Sequence, residues 1–352
     1  MIVGIVGFGR SGKTTIFNAL TGSNAAVGAY GSRDVNVAVL KVPDERVERL
    51  DEIYHPKKKT LAEFQFVDIA PNESTADEKA LDAAALSRLK NVDALVHVVR
   101  CFDNANVLHP LDSVDPLRDC IALEEEFQLD DLMIVEKRTA RLEKENEKGS
   151  EYEALIRCKN CIESGSPLRT LDLNPQEEKL IAGFTFLSQK PLMLLGNYGD
   201  ESIGEDDSSG LQAFAAERGL ALVSMCGAME LELNELSEEE RASFREELGL
   251  GEESRALFLR TAYDILGLMS FFTVGEDEVR AWTAKKETKA AEGAGLIHSD
   301  LQRGFIRAEV VTYDDFIDAG SMHGAKEQGH LRIEGKDCVL EDGDIVLIRF
   351  NV

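Results

Sequence analysis

Short apolar, β-branched runs recur along the first two thirds of the chain, at Ile2–Val6, Val35–Val39, Phe64–Val67, Ala94–Val99, Leu192–Leu195 and Ala221–Val223. Helical patterns lie between several of them. Such alternation predicts a mostly parallel sheet with crossover helices. Between about 116 and 186 the alternation stops. Leu123, Phe127, Leu132, Val135, Leu142 and Leu155 recur there at helical spacing among many Glu and Lys. Gly149-Ser150 reads as a turn between two helices. Asn174-Pro175-Gln176-Glu177 supplies an N-cap, a proline at N1 and a glutamate at N3. An antiparallel helical arm inserted in the α/β domain is therefore expected; the plainer alternative is helices that pack on the sheet. From about 267, β-type runs at Ser270–Thr273, Val279–Thr283, Phe305–Val311 and Ile345–Phe350, with turn signals at 335–337 and 341–344, predict a small α+β domain. The expected organisation is an α/β domain over 1–115 and 187–266, an arm over 116–186 and a C-terminal domain over 267–352.

The chemistry enters at the first strand. Gly7-Phe8-Gly9-Arg10-Ser11-Gly12-Lys13-Thr14 fits GxxxxGK[ST], after a strand (Ile2–Val6) and before an apolar helix (Thr15–Leu20). The glycines let the backbone fold into a nest of N–H groups around a β-phosphate. Lys13 is the candidate catalytic cation for the β- and γ-phosphates, and Thr14 offers a hydroxyl to Mg²⁺. Gly7, Gly9, Arg10, Ser11, Gly12, Lys13, Thr14 and Thr15 are the expected phosphate-binding set. The same glycines spell GxGxxG, with Asp34 22 residues after Gly12. A dinucleotide site needs its acid at the end of the second strand, whereas Asp34 precedes that run, and Lys13-Thr14 stay unexplained. Three further stations come in order along the chain. Asp68 ends a strand, where a carboxylate would hold the Mg²⁺ shell through water. Asn197-Tyr198-Gly199-Asp200 comes after the strand Leu192–Leu195, where a P-loop GTPase reads its base. Ser224, Met225 and Cys226 come after the strand Ala221–Val223, where backbone groups would line a base pocket. No general base stands out.

Charge narrows the partners. The 352 residues hold 39 Lys and Arg against 65 Asp and Glu, a net charge of −26. Bulk electrostatics oppose nucleic-acid binding, so any RNA contact needs a local patch. The candidates are His55–Lys59 and Lys285–Lys289, and solvated loop charge is the plainer account of both. No run reaches ~18 apolar residues, so no spanning helix is expected, and the start of the chain lacks the basic leader of a secretory signal. Six scattered cysteines fit reduced thiols in a cytosolic protein. Cys158 and Cys161 form a lone CxxC in a helical pattern, without the second ligand pair that zinc requires.

By its residues the chain resembles the YchF-type Obg-like ATPase family, in the translation-factor class of P-loop GTPases. The likeness covers GxxxxGKTTxFNAL (7–20), VPDERVERLDEIYHPKKK (42–59), FVDIA (66–70), VDALVHVVRCF (92–102), SVDPLRD (113–119), VEKR (135–138) and KP (190–191). It is closer in the C-terminal half, at FFTVGEDEVRAWT (271–283), AGLIHSDLQRGFIRAEVVTYDDFI (294–317) and LRIEGKDCVLEDGDIVLIRFNV (331–352). The resemblance implies a P-loop NTPase G domain, an inserted helical arm and a C-terminal TGS-like (ubiquitin-like) domain. It also implies binding of ATP or GTP with Mg²⁺, slow hydrolysis, and association with ribosomes or the translation machinery. Ser32 aligns with the family's switch I threonine and could ligate Mg²⁺.

The departures matter. Where the family has DIA-Gly, this chain has Asp68-Ile69-Ala70-Pro71, with no glycine from 32 to 148. Proline has no N–H to give a γ-phosphate and fixes φ. Asn72 falls where many GTPases carry a water-orienting glutamine. The chain could thus be a slow triphosphatase, or a module that binds nucleotide without turnover. At the base-reading station the family usually has Glu and favours ATP, whereas Asp200 has the guanine-reading spacing and Tyr198 replaces the lysine. ATP is placed slightly ahead of GTP. In the last domain, His298, Arg303, Arg307 and Lys326 read as locally bonded polar residues rather than RNA contacts, and Trp282 as core.

Overall fold

The structure is a computed structural model, and it describes residues 1–22, 36–69, 81–200, 209–247 and 254–351. In chain order its elements run β1 (Ile2–Val6), α1 (Lys13–Thr21), β2 (Asn36–Lys41), α2 (Glu45–Tyr54), β3 (Lys58–Thr60), β4 (Glu63–Asp68), α3 (Ala83–Leu89), β5 (Ala94–Cys101), α4 (Pro116–Glu145), α5 (Ser150–Glu163) and α6 (Pro175–Ile181). They continue with β6 (Leu192–Tyr198), α7 (Leu211–Arg218), β7 (Ala221–Met225), α8 (Gly227–Asn234), α9 (Glu238–Glu247), α10 (Ser254–Ile265), β8 (Leu268–Thr273), β9 (Glu278–Lys285), α11 (Ala290–Ile297) and α12 (Ser299–Arg303). The chain closes with β10 (Phe305–Val311), α13 (Tyr313–Ala319), α14 (Met322–Gln328), β11 (Arg332–Glu334) and β12 (Ile345–Phe350). Two compact units result. One comprises Met1–Ala38 and Gln65–Leu257, the other Val39–Phe64 and Phe258–Val352.

The first unit is built on a sheet in the order β2-β4-β1-β5-β6-β7. β4, β1, β5, β6 and β7 pair in parallel, so their carboxyl ends share one edge. β5 is buried on both faces, which is why its run reads as apolar apart from His97 and Arg100. Helix α4 divides its labour. Leu123 and Phe127 join Val6, Phe8, Leu89 and Leu95 in the core over the sheet. Val135 and Leu142 instead build a separate core with Leu155, Cys158, Ile162 and Ile181. The first half of α4 thus packs on the sheet and the second half on α5 and α6. At its midpoint the fully buried Asp131 accepts the N–H groups of Leu187 and Ser188, both at 2.8 Å. Helix α6 starts as its sequence predicts, with Asn174 and Glu177 forming a reciprocal capping box.

The second unit holds a sheet in the order β11-β10-β12-β8-β9-β3. β8 and β9 form an antiparallel pair, as do β10 and β12, while β12 runs parallel to β8. Helix α11 closes the core with Ala290 and Ala294 against Phe271, Val310 and Val346. The basic segment at 55–59 corrects the loop expected there. Lys58–Thr60 form a strand parallel to β9. Its lysines face acids: Lys57–Asp277 at 2.8 Å, Lys58–Glu278 at 3.0 Å and Lys59–Glu48 at 2.5 Å. The strand Lys58-Lys59-Thr60 has no apolar residue to mark it, and its backbone pairs with Glu278–Arg280 of β9. Trp282 is half-buried against the core, donates to Thr273 Oγ1 at 2.9 Å and has the Arg280 guanidinium 3.8 Å over its ring. His298 caps α12, Arg303 pairs with Asp300, Arg307 lies 3.6 Å from Glu309, and Lys326 sits in the last turn of α14.

Candidate functional site

The loop from Gly7 to Gly12 leaves β1 at the carboxyl edge of the sheet, where ligands bind in open α/β sheets. Its path needs left-handed backbone at Gly12 (φ 92°), and a Cβ there would lie 2.2 Å from Asn197 Nδ2. Gly7 (φ 144°) has the same restriction, since a Cβ would meet Val98 O at 2.4 Å. A side chain on Gly9 would lie 3.4 Å from Pro110 Cγ. Helix α1 begins immediately after Gly12, so the N–H groups of its first turn, including those of Thr14 and Thr15, point into the loop without intrahelical acceptors.

Lys13 is 8 % exposed and donates to the carbonyls of Gly7 at 2.8 Å and Phe8 at 2.7 Å. Burial pushes its ammonium down to about 8, partly offset by the nearby Asp68 carboxylate. Thr14 donates its hydroxyl to Asp68 Oδ2 at 3.1 Å, and Asn36 Nδ2 reaches the same oxygen at 3.5 Å. Asp68 is 1 % exposed, and its Oδ1 has no partner among the described residues. A buried carboxylate oxygen beside a threonine hydroxyl and a phosphate loop suits a hydrated divalent cation. Arg10 points the other way, donating from Nη1 to Leu108 O at 3.0 Å. Ser11 is buried, and its hydroxyl has no partner among the described residues.

Asn197 staples three parts together. Its Nδ2 donates to Ser11 O at 2.9 Å, and its Oδ1 accepts from Gly227 N at 3.1 Å at the start of α8. The Cys226 thiol donates to Asp200 Oδ1 at 2.9 Å. Burial, then that carboxylate, push the thiol up to about 11. Two strands run further than expected. Asn197 and Tyr198 are the last residues of β6, and Ser224 and Met225 the last of β7, paired with Gly196 and Asn197. The ladder continues because neighbouring strands still offer partners there, which apolar runs alone do not reveal. Ser224 is exposed, while Met225 and Cys226 are buried. Tyr198 lays its ring against Gly196 and bonds Ser209 Oγ at 2.9 Å. Ser32, Asp34, Pro71 and Asn72 lie outside the described residues.

Four polar residues beside the loop went unmarked in the sequence. His97, fully buried on β5, is held down to about 3 by burial and then by Lys13. Arg100, also buried, donates to the carbonyls of Phe102 at 3.1 Å and Val107 at 2.8 Å, setting the segment after β5. In that segment His109 pairs with Asp119 at 2.9 Å and accepts Leu111 N–H on Nδ1, so the proton shared with Asp119 sits on Nε2. A histidine and an arginine inside an otherwise apolar strand were the available signal.

The chain is similar to known proteins over its full length. A 50S ribosome-binding GTPase family matches residues 2–138, and a YchF GTPase C-terminal family, described only as a protein of unknown function, matches 268–351. The ribosome-binding ATPase YchF of Bacillus subtilis (strain 168) is 39 % identical over 364 residues, covering all of both chains. That of Escherichia coli O157:H7 is 37 % identical over 358 residues, covering 99 % of each. The structure of the Schizosaccharomyces pombe YchF GTPase is similar with a TM-score of 0.88 at 32 % identity, covering 99 % of this chain and 97 % of that one.

Proposed function

This chain belongs to the YchF family, and on that premise we propose that it binds ATP or GTP with Mg²⁺, hydrolyses it slowly and acts as a nucleotide-dependent regulator on ribosomes. The observation that carries the reading is the Thr14–Asp68 pair, with one buried carboxylate oxygen unspent, facing a phosphate loop whose lysine is buried. Thr14 would ligate the metal directly, with Ser32 as a second hydroxyl, and Asp68 would hold it through water. Bound there, Mg²⁺ supplies charge neutralisation on the phosphates. Lys13 would exchange the Gly7 and Phe8 carbonyls for phosphate oxygens, and the loop N–H groups would orient the chain of phosphates. Asn197, with the segment Ser224–Cys226, would border the base. The dinucleotide alternative leaves Lys13 and the Thr14–Asp68 pair without a role.

The ribosome link is supported by the names of relatives that match over the full length. The arm and the TGS-like C-terminal unit would be its interaction surfaces, in the cytoplasm. No helix among the described residues is long and apolar enough to cross a membrane. Pro71 favours a second reading, a binding module without turnover, because it cannot donate an N–H to the γ-phosphate. Phosphate release from ATP and GTP by wild type, Lys13→Ala and Pro71→Gly separates the two. Turnover by wild type, abolished in Lys13→Ala, is the expected result. Silence in wild type with turnover in Pro71→Gly would establish the module instead.

A further inference from the structure

The phosphate loop carries two cations, Arg10 and Lys13. Both rest on main-chain carbonyls. Lys13 donates to Gly7 O and Phe8 O at 2.8 and 2.7 Å, and Arg10 donates to Leu108 O at 3.0 Å. Arg10 is exposed, and among the described residues no carboxylate pairs with it. Its backbone is left-handed, with φ 62°. That conformation is uncommon for a residue with a Cβ, whereas glycine adopts it without strain. The loop nevertheless places a long, charged side chain there, and such strain clusters at functional sites. A single bond to a neutral, exposed carbonyl holds the guanidinium weakly. A phosphate would take it through two parallel charge-assisted bonds. The buried guanidinium of Arg100 lies close enough to feel Arg10 as a like charge, and an anion in the loop would relieve that repulsion.

Resting on the reading that a nucleoside triphosphate occupies this loop and is hydrolysed there, we infer that Arg10 is a catalytic residue, which leaves Leu108 O and sets its guanidinium on the γ-phosphate and the β–γ bridging oxygen. In the reaction a water oxygen adds to the γ-phosphorus. The bond from that phosphorus to the bridging oxygen breaks, and its electron pair stays with the diphosphate. The water's protons pass to the phosphate product and the solvent. Negative charge therefore grows on the bridging oxygen as the bond opens, and an arginine supplied in cis stabilises it there. This chain has a particular need of such a charge. Pro71 has no N–H to give the γ-phosphate, so stabilisation lost from that side must come from another group, and Arg10 is carried by the loop itself.

Wild type, Arg10→Gly and Arg10→Lys, each as the full chain in Mg²⁺ buffer, test it. Glycine suits a φ of 62°, so Arg10→Gly removes the guanidinium while relieving the backbone, and its thermal midpoint should not fall. It should bind ATP and GTP within severalfold of wild type, yet lower kcat by about 10³-fold. ADP or GDP with aluminium fluoride mimics the phosphoryl group in transfer. Arg10→Gly should fail to take up that complex while still binding the plain diphosphate. Arg10→Lys, which keeps the charge without the planar fork, should recover only part of the turnover. Arg10→Gly with wild-type kcat overturns the inference, as does a loss of triphosphate affinity as large as the loss of turnover; in both cases the phosphate-loop reading stands. A lowered thermal midpoint with kcat unchanged would make Arg10 a brace for Leu108 and overturns it too. A wild type that binds triphosphate but neither hydrolyses it nor takes up the fluoride complex removes the inference and leaves a binding module. Absence of binding by wild type overturns both.

Discussion

Lys13 sits where water cannot solvate its ammonium, and its pKa falls from 10.5 to about 8. This shift has two opposite pH consequences. In the free protein the unfolded chain keeps a proton between about 8 and 10.5 that the buried amine has released. Stability from this group therefore rises over that window. Nucleotide phosphates favour the charged amine, so binding should take up a proton near pH 8, and affinity should fall as pH rises past it. Calorimetry in buffers of different ionisation enthalpy reads the proton directly, and no uptake between pH 7.5 and 9 would refute the assignment. Gly12 is open to a stability test as well. Alanine there combines a φ of 92° with a Cβ 2.2 Å from Asn197 Nδ2, which should cost roughly 1–3 kcal/mol and loosen the Asn197 staple. A lowered denaturation midpoint together with weaker nucleotide binding is expected. This loop was legible in sequence because its glycines and lysine encode a backbone shape. The contact between Asn197 and Ser11 was not, because it joins residues 186 apart and no local periodicity reports it.

At the level of elements, the apolar runs located β1, β10 and β12 to the residue, since those strands begin and end where the apolar character does. β3 was missed because Lys58-Lys59-Thr60 holds no apolar residue, and β11 (Arg332–Glu334) because three residues are too short for any period. Helix α4 shows a different limit. Its 30 residues keep one helical period while changing partners midway, from the sheet to α5 and α6. Asp131 stands near that change, and Asp131→Ala would strand two buried N–H donors at Leu187 and Ser188. At about 1–3 kcal/mol per donor, the loss should be roughly 2–6 kcal/mol, visible as a fall in the urea midpoint. A change below about 1 kcal/mol would mean that water replaces the carboxylate.

Across the whole molecule, acids outnumber bases by 65 to 39, and several lysines of the two basic segments are already committed. Lys57, Lys58 and Lys59 pair with Asp277, Glu278 and Glu48, and Lys289 pairs with Asp337. The chain should therefore pass through heparin at about 0.1 M salt, and the proposed ribosome contact must come from shape and particular residues rather than from bulk attraction. The path of the chain sets a further condition. Residues 39–64 belong with the C-terminal unit, although the first unit resumes at Gln65. In α2, Val47 and Leu50 are fully buried, Arg46 bonds Asp342 at 2.7 Å, and Tyr54 stacks on Phe316 at 6.0 Å. A chain ended at Leu257 keeps α2 and loses Asp342 and Phe316. Exposing Val47 and Leu50 would cost about 1.5–3 kcal/mol each. That truncation should bind an apolar dye and unfold at a lower temperature than the full chain. Removing residues 39–64 from the truncated chain would not repair it, because it takes out half of β2 and the first residues of β4 along with α2. A truncated protein that melts with the full chain and binds no dye would show that α2 is held by the first unit alone.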